Sequence, residues 1–394
     1  MVAKPYSSTV AGQRVAGLPL LVLLTFLFWL SFLARIVIGP LLPTIEGALG
    51  LDHAQAGGLF LWQSAGYFVA LLGSGHVAGR LGHRRTIAIA VLGTGLALAG
   101  ISQTASLWGL RGWLALQGLV GGLYLPSAIA LITGSFEPVR WGRVLAVHEL
   151  APNLAFVTAP LLVAQSLPLL GWPATLLLLG GACLAGGTFF LRNPSGQAMG
   201  GPAVSPLPSH CLSILRQGRF WRMVLLFAIG ITGTIGVYSI LPLYLVEALG
   251  MEAGRANMLL GWARLPSLAT ALLGGWCIDR FGARATIGGV LAISGLSLLF
   301  LGMAGPGQVT WWIVVQSAAA VGFFPAGFAV LARLAGAGQR NLVISLVVPP
   351  AFLLGGGLLP AVIGALAEAG LFRQGLLLCG VLMLLGVLAS RRLP

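Results

Sequence analysis

The chain has 394 residues, of which 58% are hydrophobic and only 8% are charged. A soluble domain carries about 25% charged residues, so this composition excludes an ordinary soluble protein. The formal net charge of +14 would also fit a nucleic-acid-binding protein, so the placement of the charges has to decide. Long apolar runs recur from Leu18 to the C-terminus, and about 20 apolar residues cross a bilayer core. The sequence therefore predicts an all-α membrane protein.

The apolar runs predict twelve membrane-spanning helices, numbered here as spans 1 to 12. The first six cover residues 18–45, 55–78, 86–102, 107–134, 142–164 and 172–190. The last six cover residues 220–248, 253–277, 286–303, 309–334, 342–367 and 375–389. A polar segment rich in Pro, Ser and Gly, residues 193–218, separates the two groups. We expect an N-terminal six-helix bundle at 1–192, a cytoplasmic linker at 193–218 and a C-terminal six-helix bundle at 219–394.

Basic residues cluster in the loops on one side of this predicted topology. With the N-terminus in the cytoplasm, nearly all Lys and Arg residues fall on the cytoplasmic side, and only Arg111, Arg255 and Arg373 fall at outer ends. This positive-inside bias predicts a plasma (inner) membrane protein with both termini cytoplasmic. The basic balance is thus explained by topology, and we expect no nucleic-acid partner. The first apolar run is too long for a cleavable signal peptide.

The two halves share a long internal repeat. Ala48-Leu49-Gly50 recurs as Ala248-Leu249-Gly250, and the loop GRLGHRR at 79–85 recurs with the same offset as DRFGARA at 279–285. Internal repeats are frequent in transporters, whose substrate sites lie near mid-membrane between the repeats. The repeat therefore predicts two pseudo-symmetric halves with a site between them.

These loops resemble a motif of the major facilitator superfamily. That motif places a glycine, an acid, an arginine, a glycine and further basic residues between spans 2 and 3. Here Gly79 stands at the acid position of the first copy, whereas the second copy keeps Asp279. The resemblance implies a twelve-helix carrier and a conformational latch, in which Asp279 approaches the N-terminus of span 5 near Gly142. Alternatively, the loop is only a tight basic turn. The latch candidates are Gly75, Arg80, Gly82, Arg84, Asp279, Arg280, Gly282 and Arg284.

Two arginines lie deep inside apolar spans, Arg35 in span 1 and Arg264 in span 8. A charge at the bilayer centre costs at least ~2.5–3.5 kcal/mol, and arginine does not deprotonate to avoid that cost. An anion or a polar cavity must therefore meet each guanidinium. Alternatively, an arginine anchors backbone carbonyls at a helix break. The resemblance points to an anion, because organic-anion carriers often have an arginine in span 1 and monocarboxylate carriers have one in span 8 before a proline.

Other polar residues in the predicted inner spans could complete a binding pocket. These substrate-binding candidates are Gln63, Tyr67, Gln117, Tyr124, Asn153, Tyr238 and Gln316. Glu149 is an acid well inside a span, and His148 precedes it, so this pair is a candidate proton-coupling site. Alternatively, Glu149 forms a gate salt bridge with Arg143, Arg84 or Arg140.

We predict a secondary active transporter of a small organic anion, a carboxylate in the first place, working by alternating access with protons as a candidate coupling ion. The alternative is a proton-driven exporter of multiple drugs or metabolites. Against that alternative, Leu114 stands where drug exporters carry an arginine before Gln117-Gly118. No nucleotide-binding loop, metal-ligand spacing or nucleophile–base pair is present in the sequence. We therefore expect no enzyme activity, cofactor or metal, and a monomer in the bilayer.

Overall fold

The computed structural model describes residues 7–193, 213–305, 307–334 and 340–393, and it is helical and without strands throughout that part of the chain. Ten of its helical segments are long and apolar enough to cross a membrane. Most of the predicted linker, residues 194–212, lies outside the described residues. The prediction of an all-α membrane protein is confirmed.

The helices follow the predicted spans in chain order. In the first half they are Ser7–Ile36, Ile38–Leu49, His53–Leu81, His83–Ser102, Leu107–Gly121, Tyr124–Ser135, the short 3₁₀ turn Pro138–Arg140, Trp141–His148 and Leu150–Arg192. In the second half they are Gly218–Ile231, Val237–Leu243, Ala253–Ala263, Leu265–Phe281, Ala283–Met303, Val309–Val321, Phe323–Leu334, Arg340–Phe352, Leu359–Glu368 and Phe372–Ser390. Three π-helical segments, Thr232–Gly236, Tyr244–Ala248 and Leu353–Leu358, interrupt or end spans 7 and 11.

Two features reconcile ten apolar segments with twelve predicted spans. The segment Pro138–Arg192 contains spans 5 and 6, which meet at Gly171, where φ is 73°. Span 8, formed by Ala253–Ala263 and Leu265–Phe281, carries Arg255 and Arg264 and is less apolar than the others. Both departures have a local cause, a left-handed glycine in one case and buried charge in the other.

Seven spans are broken near their middles in the part of the chain that the structure describes. Spans 1, 4, 5, 7, 8, 10 and 11 change helix at Val37, Gly122–Leu123, Glu149, Thr232–Gly236, Arg264, Gly322 and Leu353–Leu358. Proline favours such breaks, since Pro40 has no N–H to continue the helix past Ile36. Broken helices within a membrane occur where backbone lines a cavity or is buried in protein. Glu149 and Arg264 stand at breaks, and Arg35 lies two residues before one.

The repeat appears in the backbone as well as in the sequence. All residues with positive φ in the described ranges are glycines, and they form three pairs, each made of one glycine from either half at nearly the same offset. These pairs are Gly50 and Gly250 (60° and 65°), Gly82 and Gly282 (80° and 81°), and Gly171 and Gly370 (73° and 75°). Each pair ends corresponding helices, because glycine adopts this conformation at little cost.

The two halves approach most closely at one end of the molecule, the end that carries Gly50 and Gly250. A methyl group added to Gly57 of span 2 would lie 2.6 Å from the carbonyl oxygen of Pro360 in span 11, and one on Gly39 would lie 3.1 Å from the Ser239 backbone. Spans 5 and 8 meet in the same way through Gly261 and the Val157 carbonyl oxygen. We call this the closed end. Every contact between halves that the described glycines make lies there or at mid-depth.

Candidate functional site

The guanidinium of Arg35 lies against two aromatic rings. Arg35 is only 8% exposed, and its Cζ lies 3.8 Å from the ring centroid of Tyr67 and 5.0 Å from that of Phe352. In the described part of the chain, no carboxylate forms an ion pair with it. Ring faces stabilise a desolvated cation by up to about 2 kcal/mol but do not neutralise it. The positive charge of Arg35 is therefore uncompensated by these residues.

A narrow cavity opens beside Arg35. In this conformation its free volume is about 20 Å³, close to what one water molecule needs. The lining residues are Phe28, Ser31, Phe32, Arg35, Tyr67, Thr94, Gln117, Gly121, Tyr124 and Leu125. The Ser31 hydroxyl is buried and has no hydrogen-bond partner among the described residues. Mostly apolar walls with a few convergent polar groups are typical of small-molecule sites.

Arg264 occupies a second buried position, at the break of span 8. It is 3% exposed, and its Cζ lies 4.5 Å from the ring centroid of Phe156 and 5.0 Å from that of Tyr238. Its Nη2 donates to the carbonyl oxygen of Thr234 at 2.9 Å. Its Nη1 is buried without a hydrogen-bond partner in the described residues, and so is the Tyr238 hydroxyl. One side of this guanidinium is thus engaged and the other is not.

A run of aromatic rings connects the two arginines. The ring centroids of Phe28 and Phe32 lie 6.0 Å apart, those of Phe32 and Phe156 5.3 Å, and those of Phe156 and Tyr238 4.8 Å. Phe32 lines the Arg35 cavity, and Phe156 lies under Arg264. The two cations therefore lie along one continuous aromatic wall built from both halves.

Sequence reasoning predicted Tyr238 of this wall but missed its phenylalanine rings. Phe28, Phe32 and Arg35 are spaced four and three residues apart, so they share one face of span 1, and this spacing could have identified them. Phe156 and Phe352 carry no such signal, because aromatic residues in apolar spans usually face lipid or fill the core.

Several of the predicted polar residues hold backbone carbonyls at the helix breaks. Gln63 donates to the Arg35 carbonyl at 3.0 Å and to Gln117 Oε1 at 2.7 Å, and Gln117 donates to the Ala34 carbonyl at 2.8 Å. In the second half, Gln316 donates to a carbonyl of span 7 at 2.7 Å. The structure thus brings Arg35, Tyr67, Gln117 and Tyr124 to one cavity and Arg264 and Tyr238 to another place on the same wall.

The candidate proton site lies at the break of span 5. His148 is fully buried, stacks on Phe28 with centroids 4.6 Å apart, and has no hydrogen-bond partner for either ring nitrogen in the described residues. Its Nδ1 lies 4.0 Å from Glu149 Oε1, whose side chain is 52% exposed. Asn153 donates to the Glu149 carbonyl at 3.1 Å and lies outside the cavity lining.

The alternative gate salt bridge of Glu149 with Arg143, Arg84 or Arg140 is absent from the described part of the chain in this conformation. Arg140 instead lies 3.9 Å from Glu137. Arg84 donates to carbonyls at the end of span 6, those of Phe190 and Leu191 at 2.9 Å and that of Asn193. A guanidinium satisfies helix-terminal carbonyls well, since it offers five donors in a fixed plane.

The latch candidates surround the end opposite the closed end. Asp279 and the side chains of Arg80, Arg280 and Arg284 are exposed, and Asp279 has no hydrogen bond or ion pair with the described residues. A methyl group added to Gly142 would meet no atom within 4 Å, and the same is true of Gly275. Asp279 is therefore not seated against span 5 in this conformation.

Among the described residues, no group of three or more His, Cys, Asp or Glu is placed to hold a metal.

The chain belongs to the Major Facilitator Superfamily, whose sequence pattern matches residues 24–265 and 240–394. This family and its fold point to a membrane transporter and not to an enzyme. A solved structure with the same fold is that of a bacterial homologue of the human lysosomal transporter Spinster in an inward-facing and occupied conformation. That structure has a TM-score of 0.79 at 16% identity and covers 99% of this chain and 97% of its own.

Curated relatives match parts of the chain and differ in what their names say they carry. The tetracenomycin C resistance and export protein of Streptomyces glaucescens is 27% identical over 34% of this chain and 26% of its own length. The 4-hydroxybenzoate transporter PcaK of Pseudomonas aeruginosa is 30% identical over 41% and 36%. The "Probable nitrate/nitrite antiporter NarK1" of Thermus thermophilus is 28% identical over 73% and 68%. The chain thus spans only part of the first two relatives.

Proposed function

We propose that this transporter carries a small organic anion, a carboxylate in the first place. The observation that carries the proposal is that two buried guanidiniums meet ring faces and one backbone carbonyl, but no carboxylate in the described residues. Both arginines depart from the pattern of anion carriers that pair them internally, since Ala34 and Leu260 stand where such carriers have acids. Neither guanidinium then has an internal carboxylate partner, so the substrate would supply the negative charge.

The aromatic wall and the Arg35 guanidinium together indicate which kind of substrate would fit. A carboxylate can accept two parallel hydrogen bonds from the edge of the Arg35 guanidinium, whose face is covered by Tyr67. Once the cavity widens, the apolar body would rest against Phe28 and Phe32, with the Ser31 hydroxyl, which has no partner among the described residues, in reach of a polar substituent. The names of two relatives, which mention 4-hydroxybenzoate and nitrate/nitrite, agree with an anion.

We further propose that the two halves, 1–192 and 219–394, move against each other and that the termini are cytoplasmic in an inner membrane. In that orientation the closed end faces outward, so this conformation would open toward the cytoplasm. Glu149 is proposed as the proton site of a symport cycle, because its exposed carboxylate lies beside the buried, unpartnered His148. We propose that a monomer carries out this cycle.

Proton-driven export of drugs or metabolites is the second candidate function. Its support is the continuous aromatic wall, which would accept a large flat molecule, together with the similarity to the tetracenomycin C export protein. The substrates of the two candidate functions differ in charge. An exporter of neutral or cationic compounds gains nothing from two unpaired guanidiniums at mid-depth, because burying each of them is costly.

The deciding experiment is counterflow in liposomes that contain the purified protein. Labelled 4-hydroxybenzoate, succinate and nitrate would be tested on wild type, Arg35→Gln and Arg111→Gln. Arg111 is the matched control, because it stacks on Trp108 with Cζ 4.7 Å from the ring centroid and lines no part of the cavity. Saturable exchange of a carboxylate that is lost in Arg35→Gln and kept in Arg111→Gln supports the proposal. Folded protein that exchanges none of the three anions overturns it and favours export.

A further inference from the structure

The break of span 1 is held by two amide side chains from neighbouring spans. Gln117 of span 4 donates through Nε2 to the Ala34 carbonyl, and Gln63 of span 2 donates through Nε2 to the Arg35 carbonyl. The two bonds fix consecutive carbonyls just before the helix changes at Val37. Buried carbonyls at a helix break need such partners, because an unsatisfied one is costly.

The second half repeats this arrangement with one change of residue type. Gln316 of span 10 donates to the Gly233 carbonyl at 2.7 Å, and Arg264 of span 8 donates through Nη2 to the Thr234 carbonyl at 2.9 Å. These two carbonyls follow those of the first half at the offset that also separates Gln117 from Gln316. Arg264 lies in the span that corresponds to that of Gln63 and makes the corresponding bond. A charged side chain thus stands where the first half has a neutral one.

We propose that Arg264 has two functions: it holds the break of span 7 through Nη2 and takes the substrate anion through Nη1, so that anion binding is coupled to the geometry of that break. We call the pairs Gln63/Gln117 and Arg264/Gln316 the carbonyl clasps. The coupling rests on the proposed anion function, whereas the clasps do not. Nη1 is the free side, being buried and without a partner in the described residues.

The guanidinium plane supplies the physical link. Its five N–H groups are fixed in one plane, so an anion that aligns Nη1 also constrains Nη2 and the Thr234 carbonyl. That carbonyl belongs to the π-helical segment Thr232–Gly236. Such segments are frequent at functional sites, because their irregular bonding shifts easily. Anion binding would therefore stabilise one arrangement of span 7.

Span 7 also links Arg264 to Arg35 through packing contacts. A methyl group on Gly236 would lie 2.3 Å from the Gly355 carbonyl oxygen, so the π-helical segments of spans 7 and 11 pack backbone to backbone. Phe352 directly precedes the span 11 segment and lies over the Arg35 guanidinium at 5.0 Å. A contiguous set of contacts thus runs from Arg264 through both π-helical segments to Arg35.

The test compares Arg264→Gln with Arg264→Leu, first without ligand. Glutamine keeps an N–H donor for the Thr234 carbonyl, as Gln63 does for the Arg35 carbonyl, whereas leucine has none. We expect Arg264→Leu to lower the Tm of the purified protein by about 1–4 °C relative to Arg264→Gln. Gln316→Leu and Gln117→Leu should lower it similarly, and Arg111→Gln is the control for loss of a membrane arginine. Equal Tm values for Arg264→Gln and Arg264→Leu would overturn the clasp.

The second arm adds 4-hydroxybenzoate, with succinate and nitrate as further probes. We expect an anion-dependent rise of Tm in wild type and an affinity at least about tenfold weaker in Arg264→Gln, because the charged partner is lost. An unchanged affinity in Arg264→Gln would overturn the coupling and leave the clasp standing. If wild type responds to none of the three anions, the coupling falls together with the proposed function, while the ligand-free comparison still decides on the clasp.

Discussion

Each of the two buried arginines is paired with aromatic faces. A ring covers the face of a guanidinium, whereas its N–H donors point outward in the plane. Arg35 and Arg264 can therefore be held by Tyr67 and Phe156 and still offer their edges to another group. A carboxylate partner would have occupied those edges. Aromatic support keeps the donors available at the cost of an uncompensated buried charge.

Replacement of Arg35 should show whether the substrate needs only a positive charge or the planar hydrogen-bonding geometry of the guanidinium. We expect Arg35→Gln to abolish measurable carboxylate exchange and Arg35→Lys to restore less than about a tenth of wild-type kcat/KM, because an ammonium cannot make two parallel bonds or lie flat on Tyr67. The measurement is initial uptake in liposomes at several substrate concentrations. Arg35→Lys with wild-type kinetics would show that the site needs only a point charge.

Tyr67 should act through its ring face more than through its hydroxyl, which also lies within hydrogen-bonding reach of Arg35. Tyr67→Phe keeps a face for Arg35 and should change KM little, whereas Tyr67→Leu should raise KM by roughly 2- to 30-fold, the loss of a cation–π contact of about 0.5–2 kcal/mol. The same uptake assay measures both variants. Similar KM values for Phe and Leu at this position would contradict a supporting role of the ring.

The sequence predicted the arginines and several polar neighbours, but not the phenylalanines that surround them. Arg35 and Arg264 are conspicuous because charge inside an apolar span is costly whatever surrounds it. Phe28, Phe32 and Phe156 are not, because phenylalanine is common in apolar spans whether it faces lipid, core or cavity. Nor could the sequence show which donor reaches which carbonyl, since the bonds of Gln63 and Gln316 depend on breaks in other spans.

At the scale of elements, hydropathy predicted where the spans lie but not where they break. A window of apolar residues reads the same whether the helix is continuous or changes direction at Val37 or Gly322. Repeated glycines were visible as Gly50 and Gly250, yet their left-handed conformation emerged only from the structure. Helix breaks depend on carbonyl partners from other spans, which a single sequence does not pair.

The caps of spans 2 and 8 give an element-scale prediction on pH. Glu252 accepts the N–H groups of Gly254 and Arg255 at 2.7 and 2.8 Å, and these bonds hold the pKa of its carboxyl below its ordinary value of 4.5. A lowered pKa in the folded state means that the stabilisation is complete above 4.5 and is lost as pH falls through the lower value.

We therefore expect the Tm difference between wild type and Glu252→Ala to be constant near neutral pH and to shrink below about pH 4.5. Thermal unfolding across a pH series measures it. Asp52, which caps span 2 by accepting from the Gln55 N–H at 2.6 Å, is the corresponding position in the first half, and Asp52→Ala is the comparison variant. A Tm difference for Glu252→Ala that stays constant throughout the acid range would contradict the assignment of the cap to the carboxylate.

For the whole molecule, the closed end depends on glycine. Gly57 lies so near Pro360 and Gly364 that a side chain there forces spans 2 and 11 apart. Overpacking costs about 1–3 kcal/mol and acts only on the closed arrangement. Gly57→Val should therefore shift the population toward the conformation open at this end. Gly58→Val is the matched control, because a methyl group there meets no atom within 4 Å.

Labelling of a cavity cysteine measures this shift. In a variant whose native cysteines are replaced, Ser31→Cys places a thiol in the cavity lining. We expect an impermeant thiol reagent applied from the closed-end side to label it at least about fivefold faster with Gly57→Val than with Gly58→Val, as a shift of about 1 kcal/mol requires. Equal labelling rates would show that the Gly57 contact does not hold the end closed.

The uncompensated guanidiniums should also make the empty transporter sensitive to membrane voltage. A full crossing of the bilayer by one elementary charge is worth about 2.3 kcal/mol per 100 mV, and a partial displacement feels a fraction of that. The empty transporter carries two buried guanidiniums, Arg35 and Arg264, and a negative interior favours the state in which they lie nearer the inner surface. A monovalent anion cancels one charge and a divalent anion both. The electric field should therefore act more strongly on the empty carrier than on the loaded one, so that membrane voltage biases which side the empty site faces.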